Sequence, residues 1–178
     1  MKTKFMENSY ENKDGKTRME IFEKFISPNH ELSYQELDEY FASLEPMRLD
    51  EAMGEWQGGN IFTESWLGRL FFKDFLIMKW YGKRFLSADN AKAQVWSFLW
   101  WKLSIPIGSA ILRRLEFRDK ISTSLIYNYL PIVDHFRKVD DKNVMGIMEI
   151  KGKVYIYFYL VRIPVMKGEG QSRRNHTF

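Results

Sequence analysis

Beyond Pro106 the chain alternates apolar and polar positions in short runs: Leu112 to Arg118, Ile121 to Tyr129, Ile132 to Val139, Val144 to Ile150 and Lys153 to Ile163. Alternation over such lengths predicts strands, and "RDK", "LP", "DDKN" and "KGK" between them supply turn chemistry. Links this short join only antiparallel neighbours, so this half reads as a meander. The beginning of the chain has a different period. Met19, Phe22, Phe25 and Ile26 fall at helical spacing. A second helix is marked by the capping-box pair Ser33 and Glu36, by a face of Tyr34, Leu37, Phe41 and Leu44, and by Pro46 at its end. In the middle, Glu55 to Phe62 predicts a strand and Trp66, Leu70, Phe71 and Phe75 a helix. Trp80 to Phe85 predicts a further strand, with Tyr81, Lys83 and Phe85 on one face and Trp80, Gly82 and Arg84 on the other. After the turn signal "SADN", Gln94 to Lys102 suits either a buried strand or a short helix. The expected fold is mainly β with N-terminal and inserted helices (α+β), an antiparallel barrel of about eight strands.

One short stretch, "MGEWQGG" from Met53 to Gly59, holds a tryptophan among glycines with no catalytic set around it. Such a residue suits the closed end of a small barrel, where an indole fills the bottom and glycines let neighbouring backbone approach. Gly54, Trp56 and Gly58 form this structural motif, and Arg162 on the last predicted strand is the candidate to stack on the indole. These residues also carry a resemblance. "GEWQG" resembles the signature of the GXWXG family, and "WYGKRF" resembles its next recurrent block. Ile126 to Gly152 is similar to the C-terminal domain of unknown function that accompanies it. The Gly-x-Trp start of the strand is more distantly similar to calycins, which implies a lipocalin-like or nitrobindin-like barrel. The resemblance implies no activity. The expected division is a GXWXG part at 49–105 and a meander part at 106–165 within one barrel domain over 17–165, with the polar, lysine-rich 1–16 and the glycine-rich, basic 166–178 as disordered tails.

Composition narrows the classes. With 178 residues, 45% hydrophobic and 16% aromatic, the chain can bury a real core. Its net charge of +4 arises from 27 basic and 23 acidic residues with no long block of one sign, which disfavours a nucleic-acid partner. The basic and aromatic "KWYGKRF" is the one stretch suited to stacking bases. Cysteine is absent, which removes disulfides and thiolate metal sites and favours a reducing compartment. The start has no apolar signal region, and the longest apolar run, "VWSFLWWKLSIPIG", is broken by Lys102 and Pro106 well short of the roughly 20 residues of a membrane helix. A cytoplasmic protein without a membrane span is expected.

The densest polar cluster is "DHFRKVDD". In a strand, Asp134 shares a face with Ile132, Phe136 and Lys138, while His135 shares the other with Val133, Arg137 and Val139. This splits Asp134 from His135 and weakens an Asp-His dyad. Were the His135 face inward, His135 and Arg137 would hold an anionic head group; were it outward, they belong to a ladder on the barrel surface. Tyr127 and Tyr157 add hydroxyls to the candidate lining. With His30, His135 and His176 as the whole histidine inventory, no metal site and no cofactor is predicted, haem on His135 being the remaining option. Tyr155, Tyr157 and Tyr159 alternate with Ile156, Phe158 and Leu160, so this strand is apolar on both faces and needs cover on both, from barrel interior and from a helix or a second subunit of a homodimer. The leading function is binding or carriage of a small hydrophobic or amphipathic ligand, anionic ones included, in the barrel cavity. The alternatives are an enzyme acting on such a ligand with His135 or Asp134 as acid-base, and an interaction protein with a filled barrel.

Overall fold

The computed structural model describes residues 17–27, 32–61, 78–97 and 109–164. Two helices come first, α1 (Arg18–Ile26) and α2 (Tyr34–Ser43), then a two-residue strand β1 (Glu45–Pro46) and a single helical turn α3 (Leu49–Ala52). Both long helices start at a reciprocal capping box: the Thr17 backbone N–H donates to Glu20 at 2.7 Å, and the Ser33 N–H to Glu36 at 3.0 Å. Eight barrel strands follow: β2 (Gly54–Ile61), β3 (Met78–Ser87), β4 (Asn90–Ser97), β5 (Ser109–Phe117), β6 (Lys120–Tyr127), β7 (Ile132–Lys138), β8 (Asn143–Ile150) and β9 (Lys153–Arg162).

Each barrel strand pairs antiparallel with the next, and β9 returns to β2 over Trp56 to Ile61, so the sheet closes on itself. The C-terminal meander and the eight-stranded barrel are as the sequence predicts. β1 adds a short rung beside β7, with Glu45 opposite Lys138 and Pro46 opposite Arg137. Some boundaries differ: β3 runs beyond the expected Trp80 to Phe85 at both ends, and β5 begins at Ser109, ahead of the expected Leu112. The expected turn "SADN" shrinks to Ala88 and Asp89, and β4 begins at Asn90, because Asn90 pairs with Ser87 and Ala91 with Phe85. The expected helix around Trp66 to Phe75, the end of the Gln94 to Lys102 run beyond Ser97, both expected tails, His30 and His176 lie outside the described residues.

Among the described residues two apolar clusters result. One fills the lumen and includes Trp56, Phe85, Leu112, Leu125, Phe136, Phe158 and Leu160. The other lies outside the wall, where Phe22, Phe25, Leu37 and Phe41 of the helices cover Met145, Ile147 and Tyr157. Cover on both faces of β9 is thereby accounted for: Phe158 and Leu160 point in, while Tyr159 meets Phe22 edge-on at 6.2 Å under α1. Among the described residues no helix is long and apolar enough to cross a membrane.

Candidate functional site

One end of the barrel is built around the tryptophan. Trp56 is 1% exposed and its indole N–H donates to the Ala52 carbonyl at 2.8 Å. Arg162 lies opposite it in the register, with its guanidinium carbon 4.1 Å from the indole centroid. The same guanidinium donates to the Met53 carbonyl at 2.8 Å and to the Glu51 carbonyl. Three carbonyls at the end of α3 thus find side-chain donors, which is what a helix of one turn needs to persist. Gly54 turns the chain from α3 into β2 at φ +120°, and a Cβ there would come within 3.2 Å of Arg162 Nη1. Gly58 faces Leu160 across the β2–β9 pair.

The opposite end has a different lining. Register puts Ile132, Asp134 and Phe136 of β7 on one face with Ile150, Met148 and Gly146 of β8, and Met148 and Gly146 in turn with Ile156 and Phe158 of β9. Phe136 and Phe158 meet edge-on at 6.0 Å beside Gly146, where a Cβ would fall 2.2 Å from the Phe158 ring. Both phenylalanines are buried, whereas Ile132, Met148, Ile150 and Ile156 are only half-buried. The lumen is therefore packed below the phenylalanines and lined by half-exposed aliphatic residues above them.

A charged strut crosses the lumen at the boundary. Lys83 on β3 donates to Asp134 Oδ2 at 2.6 Å and to the Tyr127 hydroxyl at 2.8 Å, with both charged side chains fully buried. β3 and β7 are four strands apart whichever way the barrel is followed, so the ion pair joins diametrically opposite walls. The Lys83 ammonium also lies 5.2 Å from the Phe158 ring centroid and 5.3 Å from that of Tyr127. Burial, with the Asp134 charge beside it, raises the Tyr127 phenol well above its ordinary value and keeps it neutral. Asp134 Oδ1 is buried without a hydrogen-bond partner.

Of the sequence-derived ligand candidates His135, Arg137, Tyr127 and Tyr157, Tyr127 alone is in this cluster, together with Asp134, an acid-base candidate of the alternative reading. The face of β7 that points inward is that of Asp134, so His135 and Arg137 lie on the outer face and do not reach the lumen. The reason is register: Phe136 and Ile132 pack with the interior cluster, and alternation then sends His135 and Arg137 outward. His135 stacks flat on Phe117 at 3.8 Å, with Nδ1 3.0 Å from Ser124 Oγ and Nε2 3.5 Å from a Glu149 carboxylate oxygen. Burial lowers its pKa against the opposing pull of Glu149. Arg137 is buried beneath α2, donating to the Phe117 carbonyl at 2.6 Å with its guanidinium carbon 5.3 Å from the Phe41 ring. Tyr157 is also outside, hydrogen-bonded to Asp38 of α2, which pairs with Arg118 at 2.6 Å. Among the described residues no cluster of three or more acidic or histidine side chains could hold a metal ion.

Lys83 escaped the sequence-derived candidates although a signal existed. It occupies the apolar register of its strand between Tyr81 and Phe85, as Asp134 does between Ile132 and Phe136. Two opposite charges, each in an otherwise apolar alternation, are the mark of a pair meeting inside.

The family described as "GXWXG protein" matches residues 39–96, and "Domain of unknown function (DUF4334)" matches residues 108–162. A crystal structure of a protein from Thermomonospora curvata is similar with a TM-score of 0.64 and 30% sequence identity, over 83% of this chain and 99% of that one. No curated protein matches the chain.

Proposed function

This chain belongs to the GXWXG family, with its companion domain of unknown function as the C-terminal half, and we propose that its barrel binds or carries a small apolar or amphipathic molecule. The observation that carries this is the asymmetry of the lumen. One end is stoppered by Trp56, Arg162 and α3, while the other is lined by the half-exposed Ile132, Met148, Ile150 and Ile156 above a buried polar floor. Apolar walls with a few convergent polar groups are the usual chemistry of small-molecule sites. A buried ion pair is a costly floor for a structural barrel, because packed aliphatic side chains would hold the walls together as well or better. Asp134 and Tyr127 could also serve acid-base chemistry, which favours as a second reading an enzyme acting on the same ligand.

Native mass spectrometry of protein purified from its own host should show a small molecule retained, and titration with a lipid panel should give saturable quenching of tryptophan emission. Met148→Trp, which fills the upper lumen, should weaken that binding at least about tenfold while the protein stays folded. Absence of any saturable ligand, or binding indifferent to Met148→Trp, would remove the lumen as the site. Release of a chemically altered ligand after incubation would select the enzyme over the carrier.

A further inference from the structure

We infer that the floor of the lumen recognises a neutral hydroxyl group on an apolar ligand and discriminates against a carboxylate; this rests on binding in the lumen as proposed above. Lys83 and Asp134 already neutralise one another at 2.6 Å, so the floor holds no uncompensated positive charge for an anion. Its open valence is an acceptor. Asp134 Oδ1 is the one side-chain oxygen among the described residues that is buried without a partner, and an ionised carboxylate can only accept. A buried acceptor left empty is costly, and a ligand that brings a donor relieves that cost.

The candidate head groups differ in what they bring. A carboxylate brings a second negative charge beside Asp134 and no donor. An ammonium brings donors together with a second positive charge beside Lys83. An ether brings an acceptor alone. An alcohol donates its O–H to Oδ1 without altering the charge balance and forms a charge-assisted bond in a water-poor site. Access is through Met148, directly opposite Asp134 in the β7–β8 register and half-exposed at the lumen mouth. Its unbranched thioether can change rotamer to let a head group reach the carboxylate. Ile132 and Ile156 then line the alkyl chain.

The test is calorimetric titration of the full chain at neutral pH with decan-1-ol, decanoate, decylamine and methyl decyl ether, which share a decyl chain and differ in head group. Decan-1-ol should bind about tenfold or more tighter than each of the others. Asp134→Asn should abolish that preference and bring decanoate forward, because the Lys83 ammonium then faces the lumen without its counter-charge. Decanoate binding as tightly as decan-1-ol, the ether matching the alcohol, or an unchanged preference in a folded Asp134→Asn protein would each overturn hydroxyl recognition while leaving lumen binding intact. Failure of all four to bind would overturn both. Should Asp134→Asn not fold, the four ligands on the unaltered protein decide the matter alone.

Discussion

Lys83 and Asp134 show how unequal the two halves of a buried pair and the pair itself are. Lys83→Met leaves the Asp134 carboxylate alone in the lumen and should cost about 3–5 kcal/mol. Lys83→Met combined with Asp134→Leu removes both charges and should recover most of that loss, since matched aliphatic side chains replace a buried ion pair at little or no cost. Urea denaturation of Lys83→Met, Asp134→Leu and the double variant measures the cycle; a Lys83→Met loss below about 1 kcal/mol would mean that water reaches the carboxylate. Two glycines make a comparable contrast. A Cβ on Gly82, where φ is +156° at a register shift in β3, would stand 1.9 Å from the Trp56 carbonyl oxygen. Gly152 has φ +79° in the β8–β9 turn with nothing within 4 Å of a Cβ. Gly152→Ala should therefore cost only the backbone penalty, about 1–2 kcal/mol, and thermal unfolding should place Gly82→Ala far below it.

At the scale of elements, β2, β9 and α3 act as one closure, because the indole and guanidinium that fill the end also cap the helix. Trp56→Ala should lose roughly 3–5 kcal/mol, and a stable, well-folded variant would show that α3 closes the end without it. β7 faces two environments at once, and its outer face has a pH signature. Burial depresses the folded pKa of His135 below its ordinary value near 6.5, with Glu149 and Asp134 opposing and Arg137 reinforcing the shift. The unfolded chain then binds the proton more readily, so this stability is present above about pH 6.5 and is lost as pH falls through the depressed folded value. Urea midpoints at pH 7.5 and 5.5 should drop more for the native protein than for His135→Gln. The elements themselves were largely legible, because the meander strands alternate cleanly and their links carry turn residues. α3 was not, since four residues are too few to show a period. Nor was the inward face of β7, where both faces mix apolar with charged side chains and only long-range contacts, those of Ile132 and Phe136 with the interior cluster and of Asp134 with Lys83, decide between them.

At the scale of the whole molecule, aromatic side chains cover both barrel faces among the described residues: the lumen takes Phe85, Phe136 and Phe158, and the outer layer takes Phe22, Phe25, Phe41 and Tyr157. The ring closure itself has a kinetic consequence. Most strand pairs join neighbours in sequence, but the β2–β9 seam ties together groups such as Met53 and Arg162, 109 residues apart along the chain. Contacts of such separation carry the largest loop-closure entropy and slow folding towards the millisecond-to-second range of β-rich domains. Until the seam forms, β2 and β9 each present an unpaired edge, and β9 carries "YIYFYLV", a run of high β-propensity and no charge. Refolding by dilution should therefore lose yield steeply as protein concentration rises, with light scattering growing during the slow phase and not after it. In the finished barrel β2 and β9 are paired with each other, so the hazard of these two edges belongs to the time before closure and ends with it.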